Sequence, residues 1–250
     1  MSTKKRVLQR VPTGIKGFDE LCEGGPIGGR TYLLVGTYGS GKTIFSLQYL
    51  YGGITKYDEA GIFIATEEQP EQIRQNASNF SWDLDALEAE NKLAIVDACA
   101  AKVGLPSTEK YVDVRPLDMR SMLDQVIKIQ EEIGAKRAVV DSSTSIGFYL
   151  QMDPIKLRIE LLRLSNILNT LGLTSLLTCE VIDDTKTNRF GVENFVTDGT
   201  IILYYRKPND VRVRGIEIYK MRGTKHSEKV HPFDMMSKGI VVYPDKTISF

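Results

Sequence analysis

Five short apolar runs recur along the chain: "TYLLV" (31–35), "GIFIAT" (61–66), "LAIVDA" (93–98), "RAVVDS" (137–142) and "TSLLTC" (174–179). They are rich in Val, Ile and Leu, and helical periodicity separates most of them, which predicts an α/β fold with a parallel sheet wrapped in helices. The clearest helix runs from Pro154 to Leu171. Asp153 is placed to cap it, proline suits its first position and Gly172 ends it, while Leu157, Leu161, Leu164, Leu168 and Leu171 form one stripe. A second helix is predicted over Asp118 to Ile133, with Met122, Leu123, Val126, Ile127 and Ile133 facing inward. Both stripes read as core. The tail changes character: "GTIILYYR" (199–206), "VRVRGIEIYKMR" (211–222) and "GIVVYP" (239–244) predict consecutive strands forming an antiparallel extension at the sheet edge. Residues 100–117 fit neither pattern and read as a mobile loop.

Composition narrows the picture. A chain of 250 residues without a Pro/Gly/Ser-rich linker is expected to form a single domain, 1–250. Lys+Arg 32 balance Asp+Glu 32, which argues against a protein that coats nucleic acid or an anionic membrane. The basic start, "MSTKKRVLQR", has no apolar run behind it, and nothing approaches the roughly 18 consecutive apolar residues of a membrane span, so a soluble cytoplasmic protein without membrane contact is expected. Cys22, Cys99 and Cys179 are far apart and read as reduced core thiols.

The candidate chemistry lies behind the first strand. Gly36, Thr37, Tyr38, Gly39, Ser40, Gly41, Lys42 and Thr43 fit G-x-x-x-x-G-K-[ST] between a strand and a helix, the context that turns a glycine-rich turn into a phosphate loop. Its backbone N–H groups and the positive end of the helix dipole favour phosphate oxygens. Lys42 is placed for the β- and γ-phosphates of ATP and the Thr43 hydroxyl for Mg²⁺. Two other strands end in acids. Asp141, after "AVV", fits a carboxylate that holds Mg²⁺ through its water shell. Glu67 and Glu68, after "FIAT", fit a group that orients and deprotonates water in line with the γ-phosphate; the plainer alternative is acids at a helix start, since Pro70 follows.

These features resemble the KaiC-like branch of the RecA/RadA ATPase superfamily, in its single-domain archaeal type. The opening "VPTGIKGFDELCEGGPIGGRTYLLVGTYGSGKT" is similar to that superfamily's entry into its phosphate loop; "EEQPEQIRQNASNFSWDL" (67–84), "KMRGTKH" (220–226) and the later "PF" and "GI" pairs favour KaiC. The resemblance implies a RecA-like core, a homo-hexameric ring and ATP at each subunit interface. It implies that Glu67 polarises water and that Glu68 is its partner. It also implies that Lys220 and Arg222 reach the neighbouring subunit's ATP; two apart on a strand, they are expected to share a face. Met221, Thr224 and His226 match family positions lining the same nucleotide. The plain alternative for this segment is a solvated basic hairpin. Clock KaiC carries two such domains, so a clock role is not expected here. Tyr38 and "FDMMSKG" depart from the family pattern, which leaves base selectivity open.

Three functions fit: a ring ATPase with an autokinase, regulatory or signalling role toward itself or a protein client; a RadA-like paralogue binding single-stranded DNA; and a nucleotide-dependent scaffold with little turnover. The loop "EVIDDTKTNRFGVENFVTD" (180–198), which in this superfamily lies near the central pore, bears on the second. Lys186, Arg189, Phe190 and Phe195 face Glu180, Asp183, Asp184, Glu193 and Asp198, an acidic excess that disfavours tight nucleic-acid binding.

Overall fold

The computed structural model describes residues 8–113, 119–151, 153–183 and 185–250. In chain order the elements are β1 (Thr31–Gly36), α1 (Lys42–Tyr57), β2 (Gly61–Ala65), α2 (Pro70–Ser78), α3 (Leu84–Ala89), β3 (Leu93–Asp97), β4 (Tyr111–Val112), α4 (Met119–Ile133), β5 (Arg137–Asp141), α5 (Ser143–Tyr149), α6 (Pro154–Thr170), β6 (Thr174–Glu180), α7 (Glu193–Val196), β7 (Gly199–Arg206), β8 (Val213–Met221), β9 (His231–Met236) and β10 (Gly239–Val242). The strands form one sheet in the order β10-β9-β8-β7-β1-β6-β5-β2-β3-β4. Pairing is parallel from β7 through β4 and antiparallel from β7 through β10. This is the α/β sheet with antiparallel tail strands that the pattern predicts.

Both faces of the sheet are covered. Along β1, Tyr32 and Leu34 enter one core and Leu33 and Val35 the other, because successive strand residues point to opposite faces. α1, α2 and α3 cover the first face, α4 and α6 the second. On α6, Leu157, Leu161, Leu164 and Leu168 are fully buried; Asp153 accepts hydrogen bonds from Ile155 N and Lys156 N, as predicted for its cap.

Several expectations need correction. On α4 the residue facing inward is Ile129, while Ile127 is half-buried, since 122, 126 and 129 keep helical spacing and 127 turns off the stripe. Asp118 and the end of the expected loop at 114–117 lie outside the described residues. The rest of that stretch, 100–113, is built: a 3₁₀ turn at Ala101–Val103 precedes β4, whose two residues are too short to give a sequence pattern. β9 was not expected, because "HPFDMM" mixes proline and an acid into its apolar positions. β8 ends at Met221, so Arg222 lies in the turn beyond it, not on the strand with Lys220. The three cysteines are free and buried; burial pushes the Cys22 thiol up to about 12. Among the described residues, no helix is long and apolar enough to cross a membrane.

Candidate nucleotide site

Register aligns the strand ends. Gly36 of β1 pairs with Glu180 of β6, and Ala65 of β2 with Asp141 of β5, so the acids and the glycine-rich loop share the carboxyl edge of the sheet, where parallel α/β sheets bind ligands. The loop turns through left-handed residues at Gly39 (φ 72°) and Gly41 (φ 104°). At Gly41 a β-carbon would also meet the terminal methyl of Met235, which could shift, so it is the left-handed backbone that calls for glycine there. Tyr38 is 76% exposed at the tip. Ser40 Oγ is buried with no hydrogen-bond partner among the described residues.

Lys42 opens α1 and folds its ammonium back, donating to the carbonyls of Gly36 (3.0 Å) and Thr37 (2.9 Å). Burial lowers its pKa, opposed by Glu180 and Asp141 nearby. Thr43 Oγ1 donates to Asp141 Oδ2 at 2.7 Å, and Thr178 Oγ1 donates to Oδ1 of the same carboxylate. Burial raises the Asp141 pKa more than these hydroxyls lower it. A hydroxyl and a desolvated carboxylate within hydrogen-bond distance are the oxygen ligands Mg²⁺ takes, and a cation would relieve the buried charge, so the residues fit that ion.

Glu67 and Glu68 follow β2 but do not cap α2, whose N-cap Gln69 makes no side-chain cap bond. α2 does start at Pro70, two residues past Glu68, as the helix-start alternative expects, while the Glu67 carboxylate is held by side chains of another segment. Ser142 Oγ and Ser145 Oγ both donate to Glu67 Oε1 at 2.7 Å. Glu68 accepts a 3.4 Å bond from Asn76 Nδ2, and burial, with Asp141 adding to it, raises its pKa. Thr178, Ser142, Ser145 and Glu180 are the site's members that motif reading passed over; the available signal was the hydroxyls beside Asp141 in "DSS" and the polar ends of β6.

The "KMRGTKH" segment lies elsewhere. Gly199 pairs with both Tyr32 and Met221, which puts Met221 level with the start of β1, at the opposite edge of the sheet from the chain's own loop. Lys220 Nζ donates to the carbonyls of Asn194 (2.8 Å) and Thr197 (2.9 Å), and burial lowers its pKa. The Arg222 side chain is 55% exposed, 4.0 Å from Asp198. Met221 is buried in the chain's own core. Thr224 Oγ1 accepts from Arg10 at 2.6 Å, and His226 Nδ1 meets Ser227 O at 2.9 Å.

In the 180–198 loop, Glu193 is a correction: its carboxylate is buried and accepts from the N–H groups of Arg189, Phe190 and Val192, organising the loop rather than adding to an acidic surface. Phe190 packs edge-on against Phe148, over whose ring Arg189 sits. Asp184 lies outside the described residues.

The family model described as "ATPase: KaiC" matches residues 11–247. The chain is 38% identical over 239 residues to the circadian clock oscillator protein KaiC of Prochlorococcus marinus, covering 95% of this chain and 46% of that protein; it thus spans about half the length of the clock relative. It is 40% identical over 243 residues to a UPF0273 protein of Methanocaldococcus jannaschii, covering 96% and 99% of the two chains. A crystal structure of a KaiC-like protein from the hyperthermophilic archaeon Pyrococcus horikoshii OT3 superposes with a TM-score of 0.82 at 37% identity, covering 95% of this chain and all of the other.

Proposed function

This chain belongs to the KaiC family of ATPases and has its RecA-like fold, and from that premise we propose that it is a single-domain, Mg²⁺-dependent ATP hydrolase working as a homo-hexameric ring. The loop Gly36–Thr43 cradles the phosphates, and Lys42 leaves its resting carbonyls to meet the β- and γ-oxygens. Thr43 and Asp141 would hold Mg²⁺, which when bound would supply positive charge beside the phosphates. Glu67, fixed by two serine hydroxyls, orients and deprotonates the attacking water; Glu68 supports it. Arg222 of the next subunit supplies positive charge to the transferred phosphoryl group, with Lys220 beside it and Thr224, His226 and the Met221 backbone completing that wall.

The observation that carries this reading is the convergence of Lys42, the Thr43–Asp141 pair and Glu67 at one sheet edge, fed by three separate strands, β1, β5 and β2. Glu180, Asp141 and Glu67 lie close enough to act on the Lys42 charge, so a cation beside the phosphates would offset acidic as well as phosphate charge. The test is incubation with γ-labelled ATP, with and without Mg²⁺, resolving free phosphate from label on protein. Magnesium-dependent phosphate release supports hydrolysis; label retained on protein assigns kinase chemistry, and neither product assigns a scaffold.

A further inference from the structure

Beyond the residues matched by motif, the geometry points to Lys102 as the residue that positions Glu67 for hydrolysis; this rests on the reading of Glu67 as the base. Lys102 lies in the 3₁₀ turn Ala101–Val103, in the stretch without a helix or strand pattern. Asp97, the buried last residue of β3, shapes that turn by accepting from Cys99 N and Ala100 N, both at 2.9 Å. The turn is thereby laid against the segment carrying the base. Cys99 Sγ donates to the Glu67 carbonyl at 3.4 Å, and Lys102 Nζ donates to the Thr66 carbonyl at 2.7 Å. Two successive carbonyls are held from one side.

Thr66 is also pinned from the other side, by its N–H to Asp141 O at 2.9 Å and by Ser142 N donating to its hydroxyl at 2.6 Å. Clamped between these groups, the peptide entering Glu67 has little freedom to rotate. Lys102 Nζ further reaches Ser145 Oγ at 3.5 Å. An ammonium only donates, so it occupies a lone pair of that hydroxyl and leaves the O–H to point at Glu67 Oε1. One cation thus fixes both the backbone before the base and the direction of a hydroxyl on its carboxylate, and charge-assisted bonds are the stronger kind for that purpose. Lys102 touches the base's supports rather than the reacting atoms, which makes it a positioning residue.

The test compares Lys102→Met, Lys102→Arg and Ser145→Ala in the full chain, measuring kcat, KM for ATP and Tm, then repeats Lys102→Met in a Glu67→Gln background. The expected result is a kcat lowered about 10- to 100-fold by Lys102→Met, the scale of a misplaced catalytic group, with KM and Tm near wild type. Lys102→Arg should recover most of the loss, Ser145→Ala should reproduce part of it, and Lys102→Met should cost nothing further once Glu67 is Gln. If Glu67→Gln is inactive while Lys102→Met keeps full kcat, this inference alone falls. An equal loss from Lys102→Met in both backgrounds also overturns it. If Glu67→Gln itself hydrolyses ATP normally, the base assignment and the inference fall together.

Discussion

Mixing two inactive variants distinguishes catalysis in trans from catalysis within one chain. Register gives the distance. Met221 is level with Tyr32, four residues before Gly36 on β1, and β8 lies two strands away across β7. At about 3.3 Å per residue and about 4.8 Å per strand, the α-carbons of Met221 and Gly36 are roughly 16 Å apart. An extended Lys or Arg side chain spans only about 6–7 Å, so neither Lys220 nor Arg222 reaches the chain's own phosphates. Lys42→Ala removes the charge for the β- and γ-phosphates and should weaken ATP binding while the fold persists. Arg222→Ala truncates an exposed side chain, should cost under about 1 kcal/mol of stability, and should remove a finger worth roughly 10³- to 10⁵-fold in kcat. In randomly mixed rings at equal amounts, about one quarter of interfaces pair an intact loop with an intact finger, because each is present with a chance of one half. The assay is steady-state ATPase of the mixture, with native mass spectrometry confirming mixed oligomers; the expected activity is about a quarter of wild type. No recovery in verified mixed rings of two dead variants would refute the reasoning, as would a fully active monomer.

Glu67→Gln should leave ATP binding intact and lower turnover by about 10²- to 10⁴-fold, as for a lost general base; turnover abolished by Glu68→Gln but not by Glu67→Gln would reverse their ranking. Because burial raises the Glu68 pKa above its ordinary 4.5, the folded state disfavours its ionised form, and that penalty is present above the raised value and fades as pH falls toward 4.5. Thermal denaturation should accordingly find Glu68→Gln at least as stable as wild type at pH 8, with the difference shrinking on acidification; an advantage that grows toward pH 4.5 contradicts the sign. Single-stranded DNA should bind weakly near physiological salt, since Phe190 and Arg189 are engaged with Phe148; a sub-micromolar Kd that weakens steeply with salt would put the recombinase-like reading first.

Local chemistry fixed what the sequence could settle unaided. The phosphate loop is legible because its glycines, lysine and threonine act through consecutive backbone atoms, and the strands and α6 are legible because burial on both faces or on one stripe leaves a period in the chain. Where a side chain finds its partner is decided by elements far away in sequence. Nothing in "GVENF" distinguishes a pore-facing acid from Glu193 turned inward to bind three N–H groups, and nothing in "ACAAKVG" shows that Lys102 meets Thr66 and Ser145. The spacing of Lys220 and Arg222 implied one strand face, but the strand ends between them, and only sheet order and register carry both to the edge opposite Lys42. Periodicity reports which face of an element is buried; the depth, direction and neighbours of each side chain depend on how the ten strands are ordered, and that order is a property of the packed sheet rather than of any stretch within it.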